Sequence, residues 1–459
     1  MARARKLVVV SNRGPYRREG GRWVRSAGGL VAALHPMLAD RGGVWVSAKH
    51  AKGFETVEDA PDVAYDLAGV ALSKRLQEGF YMGVSNAIVW PLLHSFPTTM
   101  RVSEAPWKDY VDANQKFADV VLAASRPADT VWVQDYHLML VPRLLRQKRS
   151  RSRIGWFCHV PWPPRSLFGI LPWRTDILEG LLGADVLGFH TQEYADSFLE
   201  CVDHYTDRHV DRVRGTVKVG RRVVRVLPAP IGIPVNMLRK LAASESVASE
   251  VAELRAKIGD RKVFLGVDRL DYTKGIPERI RAFDALLSRS KEARDDLVFV
   301  QIMVPSRTDV AAYSKLKDDI DRLVGDLNGR YASTGTVPFQ YFYRNFDQAS
   351  LMAQYQAADV AVVTPLRDGM NLVAHEYVAS RVHSDGVLIL SEFAGAANYL
   401  EEAVLVNPYD VESIADAMER ALRMSKRDKT RRMRSLLEDV EALDVHRWAD
   451  GYLELLEHG

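Results

Sequence analysis

Val263-Phe-Leu-Gly-Val-Asp-Arg-Leu-Asp-Tyr-Thr-Lys-Gly275 passes from a short apolar run to a polar turn, and Pro277 then opens an amphipathic stretch reaching Arg289. The apolar run has the length and β-branching of a strand buried on both faces. Proline at a helix start, with Ile280, Phe283, Leu286 and Leu287 on one stripe, predicts a helix packed back on that strand. The same alternation recurs along the chain. Leu7–Val10, Thr130–Val133, Ile154–Phe157, Val186–Phe189, Leu297–Met303, Val360–Thr364 and Val387–Leu390 read as further buried strands. Strands alternating with helices predict a parallel, doubly wound α/β sheet. Leu227-Pro-Ala-Pro-Ile-Gly-Ile-Pro234 is too rich in proline for a helix or a regular strand, so the interdomain connection is placed there. The expected organisation is an N-terminal Rossmann-like domain over 1–232, a second over 233–440, and a C-terminal helix over 441–459 packing back on the first. Ligands of such sheets bind outside the carboxyl ends of the strands, which puts function in a cleft between the two domains.

Size and charge agree with this. A chain of 459 residues exceeds what one hydrophobic core of roughly 250–300 residues supports, and suggests two domains. Lys plus Arg number 62 against 59 Asp plus Glu, a net charge of +3, which gives no case for nucleic-acid or anionic-membrane docking. At 47% hydrophobic and 26% charged the chain is expected to fold. Two cysteines, Cys158 and Cys201, make neither a disulfide framework nor a zinc pattern. The apolar run after the basic start ends at Ser11-Asn12-Arg13, too early for a signal sequence, so a cytosolic protein is expected.

Chemistry gathers at the strand ends. Arg269 and Lys274 follow the strand Val263–Val267 and precede a helix start, where two fixed cations can receive a phosphate. Surface salt bridges to Asp268 and Asp271 are an equal alternative on these residues alone. The Walker pattern is absent, which speaks against ATP hydrolysis. After Val360–Thr364, the turn Pro365-Leu-Arg-Asp-Gly-Met-Asn371 leads into Leu372-Val-Ala-His-Glu-Tyr377. Its N–H groups can receive a diphosphate, Glu376 a ribose diol and Asp368 sugar hydroxyls. The competing reading makes Asp368 a helix N-cap and Glu376 a solvated charge. In the first half, Arg13 and the Gly28-Gly29 pair follow the first strand, and Asp135 and His159 follow two others. A lone histidine is more often structural than catalytic, a caution that also covers His94, His137 and His190. Asp319-Ile-Asp321 falls in a helical pattern, and no metal and no cofactor are expected.

Ser11-Asn-Arg13, Ser26-Ala-Gly-Gly-Leu30, Ser85-Asn-Ala-Ile-Val-Trp-Pro-Leu92, Asp135-Tyr-His-Leu138, Arg269–Gly275, Leu366–Ala374, Ser391–Ala397 and Asn407-Pro-Tyr409 together resemble the trehalose-6-phosphate synthase family, from residue 7 to about 455. The resemblance implies a GT-B fold of two Rossmann-like domains and a retaining glycosyltransferase. It further implies a nucleoside diphosphate glucose as donor and a sugar phosphate as acceptor. It assigns Arg269 and Lys274 to the donor diphosphate, Gly28 and Gly29 to the loop approaching it, and Leu372, Val373, Ala374 and Glu376 to phosphate and ribose. Phe346 is implied as a backbone contact to the base, and Asp368 and His159 as contacts to the transferred sugar. Arg13, Tyr81, Trp90, Asp135 and Arg307 correspond to the acceptor pocket, with Arg13, Tyr81 and Arg307 around its phosphate.

The implied reaction moves glucose from UDP- or GDP-glucose to glucose 6-phosphate, giving α,α-trehalose 6-phosphate. Arg269 and Lys274 would stabilise the charge that builds on the leaving phosphate, with Asp135 and His159 completing the reacting site. The sequence departs from the family at Ala48 and Lys49, in Gly43–His50, and at Gln348, where an arginine is usual. Related glucosylglycerol-phosphate synthases carry a lysine near Lys49 and a segment like His94-Ser-Phe-Pro97. Glycerol 3-phosphate is therefore the alternative acceptor, and a non-catalytic sugar-phosphate-binding module the alternative class. Val304–Asp309 and Ser26–Leu30 follow the trehalose pattern. The base of the donor is not readable, and a homo-oligomer is compatible with the sequence.

Overall fold

The computed structural model describes residues 5–19, 22–25, 29–49, 53–56, 63–289, 293–306, 311–333 and 336–458. The chain divides into two compact units, one made of Met1–Ile231 with Val445–Gly459 and one of Gly232–Asp444.

The first unit contains strands β1 (Leu7–Ser11), β2 (Tyr16–Glu19), β3 (Arg22–Arg25), β4 (Val44–Lys49), β5 (Gly53–Thr56), β6 (Asp66–Ala71), β7 (Thr130–Gln134), β8 (Arg153–Phe157), β9 (Val186–Phe189), β10 (His209–Asp211), β11 (Thr216–Val219) and β12 (Arg222–Pro228). Ten of them form one sheet in the order β10-β11-β12-β9-β8-β7-β1-β4-β6-β5, parallel from β12 to β6 and closed by antiparallel strands at both edges. The central strands β1 and β7 are buried along their whole length, as Val, Trp and Leu on both faces require. The antiparallel edge β11–β12 instead alternates, with Val217, Val224 and Val226 inside and Arg and Lys outside. Helix Val445–His458 belongs to this sheet. Its Tyr452 donates from one hydroxyl toward the carbonyls of Trp156 (2.8 Å) and Val186 (2.9 Å), and its ring stacks on Trp132 at 4.7 Å.

The second unit holds β13 (Lys262–Arg269), β14 (Leu297–Val304), β15 (Phe339–Tyr343), β16 (Val360–Val363), β17 (Val387–Ser391) and β18 (Val404–Val406). They form one sheet, all parallel, in the order β15-β14-β13-β16-β17-β18. The order reverses direction between β13 and β16, the position where doubly wound sheets open a ligand crevice. The predicted strands of both halves are present within two residues of their expected ends, and helix Ile276–Arg289 follows β13. Pro228 stands as the last residue of β12, where a missing N–H costs no ladder bond. Each unit is a Rossmann-like α/β domain built on a largely parallel sheet, as the sequence predicts.

Candidate active site

In the second unit, two strand-to-helix turns meet at the switch point because β13 and β16 are neighbours. The first turn is shaped by Asp271, fully buried, whose Oδ1 accepts from the Thr273 N–H (3.1 Å) and hydroxyl (3.0 Å) while Oδ2 accepts from the Tyr313 hydroxyl (3.1 Å). The Asp271 carboxylate is thus engaged in building the loop, and its carbonyl accepts from the Lys274 N–H at 3.1 Å. Gly275 closes the turn with φ +64°, and a Cβ there would lie 2.3 Å from the Thr364 carbonyl, so only glycine lets the two turns touch. The Leu366 N–H donates to the Thr273 carbonyl at 2.7 Å and binds the turns together.

Lys274 reaches across this junction. Its Nζ stands 2.6 Å from Asp368 Oδ2, and the two side chains are only 9% and 15% exposed. Asp368 does not cap the following helix: Asn371 is the N-cap residue, and its Nδ2 donates to the same Asp368 oxygen at 3.0 Å. Asn371 has φ +72°, an uncommon conformation for a residue with a Cβ, and it aims the start of helix Leu372–Ser380. Leu372, Val373 and Ala374 form the first turn, where helix N–H groups lack the partner four residues back that the helix interior supplies; the Ala374 N–H donates instead to the Asn371 carbonyl at 3.3 Å. Glu376, one turn on, is no solvated charge. It accepts from the Tyr355 hydroxyl at 2.8 Å, and burial pushes its carboxyl up, with that hydrogen bond acting the other way. Burial, then the Glu376 charge, pushes the Tyr355 hydroxyl well up and keeps it a donor. Arg269, at the end of β13, is exposed. Phe346 is half-buried beside Phe342, with the Arg344 guanidinium 4.9 Å from its ring centre.

In the first unit, Arg13 Nη2 donates to the Tyr81 hydroxyl at 2.9 Å, the Tyr81 ring stacks on His137 at 5.7 Å, and His137 Nδ1 lies 3.7 Å from Asp135 Oδ2. Tyr81 sits on a π-helix, Glu78–Val89, continued by Trp90–Leu93. Trp90 is buried, its ring 4.0 Å from that of His94, whose Nδ1 hydrogen-bonds the Trp90 carbonyl at 2.8 Å. His94 therefore packs and caps.

Asp135 and His159 come together because β7 and β8 pair in parallel. The His159 N–H lies 3.3 Å from Asp135 Oδ1, and His159 Nε2 lies 2.9 Å from Gln134 Oε1. With that oxygen as acceptor, Nε2 carries the ring proton and Nδ1 keeps its lone pair. Burial, then His190, pushes the His159 imidazole well below its ordinary value, so the ring is neutral near pH 7. Asp135 has φ +73° and ψ 170°, a region other residues avoid at a cost of about 1–3 kcal/mol. Tyr110 and Asn114 hold this strained turn from below, Tyr110 bonding the Tyr136 carbonyl and Asn114 the His137 carbonyl. Burial, then the Asp135 charge, pushes the neighbouring Cys158 thiol well up, so no thiolate forms there.

Gly28 and Arg307 lie outside the described residues, and of Gly29 only its place at the start of helix Gly29–Arg41 is described. On helix Ala311–Tyr331, Asp321 of the Asp-x-Asp pair is engaged by Lys317 of the same helix and by Tyr341 of β15. Among the described residues no group of three metal-ligating side chains stands together, and no helix is long and apolar enough to cross a membrane. Residues that sequence reading did not single out include Tyr355, Tyr110 and Asn114. Their polar groups act on partners distant in sequence, which periodicity does not reveal.

Two Rossmann-like units, with Lys274, Asp368 and Asn371 gathered at the switch point of one and Asp135 and His159 at paired strand ends of the other, are the makings of a GT-B glycosyltransferase. Residues 5–458 match the model of Glycosyltransferase family 20, and the chain belongs to that family, the trehalose-6-phosphate synthases. It is 45% identical over 466 residues to the trehalose-6-phosphate synthase of Mycobacterium marinum, covering 98% of this chain and 93% of that protein. Against the Mycobacterium tuberculosis H37Rv protein of the same name it is 44% identical over 470 residues, covering 98% and 94%. The crystal structure of a UDP-forming α,α-trehalose-phosphate synthase from Burkholderia xenovorans in complex with glucose-6-phosphate superposes with a TM-score of 0.91 at 32% identity, covering 98% of this chain and 100% of that one. A structure from E. coli bound with UDP-2-fluoro glucose gives 0.91 at 34% identity, covering 98% and 99%.

Proposed function

We propose that this enzyme transfers glucose from UDP- or GDP-glucose to glucose 6-phosphate with retention at the donor carbon, giving α,α-trehalose 6-phosphate. The observation that carries this reading is the Lys274–Asp368 pair beside Arg269 at the switch point, in a chain matched along its length by enzymes of that name. In this reading Arg269 and Lys274 hold the donor diphosphate, and the first helical turn, Leu372, Val373 and Ala374, completes its cradle, with the N–H groups of Leu372 and Val373 as donors. Glu376, oriented by Tyr355, takes the ribose diol. Phe346 meets the base through its backbone, and Gly28 and Gly29 contact the donor diphosphate. Asp368 and His159 bind the sugar being moved. Arg13, Tyr81 and Arg307 bind the acceptor phosphate, and Trp90 and Asp135 its sugar.

Departure of the nucleoside diphosphate builds charge on the β-phosphate, which Arg269 and Lys274 stabilise more in the transition state than in the ground state. The leaving phosphate oxygen takes the acceptor hydroxyl proton on the same face of the sugar. A free carboxylate nucleophile is not required, and Asp368 is held by Lys274 and Asn371. The neutral His159 hydrogen-bonds the sugar without adding charge.

Incubating the protein with UDP-glucose or GDP-glucose and each acceptor, and following nucleoside diphosphate release, tests the reading. Release with glucose 6-phosphate is expected. Release with glycerol 3-phosphate alone would transfer the chemistry to the other acceptor, and release with neither would leave a binding module.

A further inference from the structure

The side chain tying the donor turns together is one that the transfer reaction does not itself use. Arg279, on the helix following β13, has no exposed surface. Its Nη1 donates to Asp268 Oδ2 at 2.6 Å and to Gln301 Oε1 at 2.9 Å, its Nε to Thr364 Oγ1 at 3.1 Å, and its Nη2 to the Lys274 carbonyl at 3.2 Å. Asp268, Gln301 and Thr364 are themselves buried, and Gln301 Nε2 donates back to Asp268 at 3.1 Å. Gly266 leaves the room: a Cβ there would stand 2.5 Å from Arg279 Nη1 and 2.3 Å from Gln301 Oε1.

These partners are not scattered. Asp268 immediately precedes Arg269, the Lys274 carbonyl belongs to the residue that spans to Asp368, and Thr364 begins the turn carrying Asp368 and Asn371. One planar guanidinium, with donors in a fixed fork, thus connects β13, β14, the Lys274 turn and the end of β16. Lysine can replace its charge and not its geometry.

We infer that Arg279 is the positioning residue of the donor-diphosphate site: it sets the spacing between the Arg269–Lys274 turn and the Asp368–Asn371 turn and touches no substrate. A loosened register displaces Lys274 from the diphosphate by an amount that matters, since mispositioning of about 1 Å costs on the order of 100-fold. The inference rests on the donor-site reading above and adds to it a residue that acts from the buried side.

The test compares the parent protein with Arg279→Lys and Thr364→Val by calorimetric titration with UDP and by steady-state kinetics, with circular dichroism and Tm as the fold check. In folded Arg279→Lys the UDP Kd is expected to rise about tenfold or more, kcat to fall by a similar factor, and the glucose 6-phosphate KM to stay within about twofold. Thr364→Val keeps the shape and removes one bond of the fork, and its UDP Kd is expected to rise about threefold. That variant decides the matter if Arg279→Lys does not fold. Parent-like UDP affinity in a folded variant, or donor and acceptor KM rising together, overturns the inference while leaving the donor site in place. Failure of the parent itself to bind UDP, GDP or ADP overturns the donor-site reading and this inference with it.

Discussion

Replacing Lys274 with methionine separates what this side chain does for the fold from what it does for the reaction. Lys274 Nζ lies 2.6 Å from Asp368 Oδ2, with side chains 9% and 15% exposed. Removing one member of a buried ion pair costs about 3–5 kcal/mol, because the other charge is left uncompensated. Asp368 retains some solvent and the Asn371 amide at 3.0 Å, which lowers the expectation to about 2–3 kcal/mol. In a unit of this size each kcal/mol moves Tm by about 2–4 °C, so Lys274→Met should melt about 4–12 °C below the parent. Adding Asp368→Asn removes the stranded charge and should bring the midpoint back to within about 2 °C of the parent. Activity behaves differently. Loss of an electrostatic contact to the leaving group costs about 100- to 1000-fold in kcat, and both variants should show it. The assays are differential scanning calorimetry with the second-unit transition resolved, and nucleoside diphosphate release. An unshifted single variant, or a double variant melting lower still, would refute the coupled pair. Recovery of turnover in the double variant would show that Lys274 acts only through Asp368.

Three other outcomes follow from the geometry. Burial holds the Glu376 carboxyl above its ordinary value of 4.5, so the folded state binds more protons than the unfolded one and stability falls as pH rises through that raised value. Glu376→Gln should therefore be more stable than the parent at pH 8, show less gain at pH 4, and bind UDP more weakly; calorimetry at both pH values checks this, and no gain at pH 8 refutes it. Asp135→Gly relieves the backbone at φ +73° and should raise stability by about 1 kcal/mol while abolishing transfer; a lower Tm would mean the turn is unstrained. Arg13→Ala should raise the acceptor KM roughly 10-fold or more with the donor KM little changed, because a charge-assisted phosphate contact is lost; equal changes in both would reassign Arg13.

The buried strands were readable because runs such as Val8–Val10 and Val360–Val363 must be apolar on both faces of a parallel sheet. The half-buried ones were not. β15 has one buried and four partly buried residues, and β11–β12 alternates with charged side chains, a pattern an exposed loop can share. The strand-end rule located Arg269, Lys274, Asp135 and His159, since a residue just after a strand needs no partner to be placed. What those residues touch was not legible. Tyr355 meets Glu376 across 21 positions and Lys274 meets Asp368 across 94, contacts fixed by helix and strand packing rather than by local pattern. The π-helix carrying Tyr81 is equally silent in sequence, because its apolar spacing differs little from that of an α-helix.

Proton NMR of the product from UDP-glucose and glucose 6-phosphate tests the central claim most directly. A single disaccharide phosphate with both anomeric protons in the α configuration, formed in step with UDP, is the predicted result. A β linkage at the transferred glucose, or UDP release without any disaccharide phosphate, would contradict it.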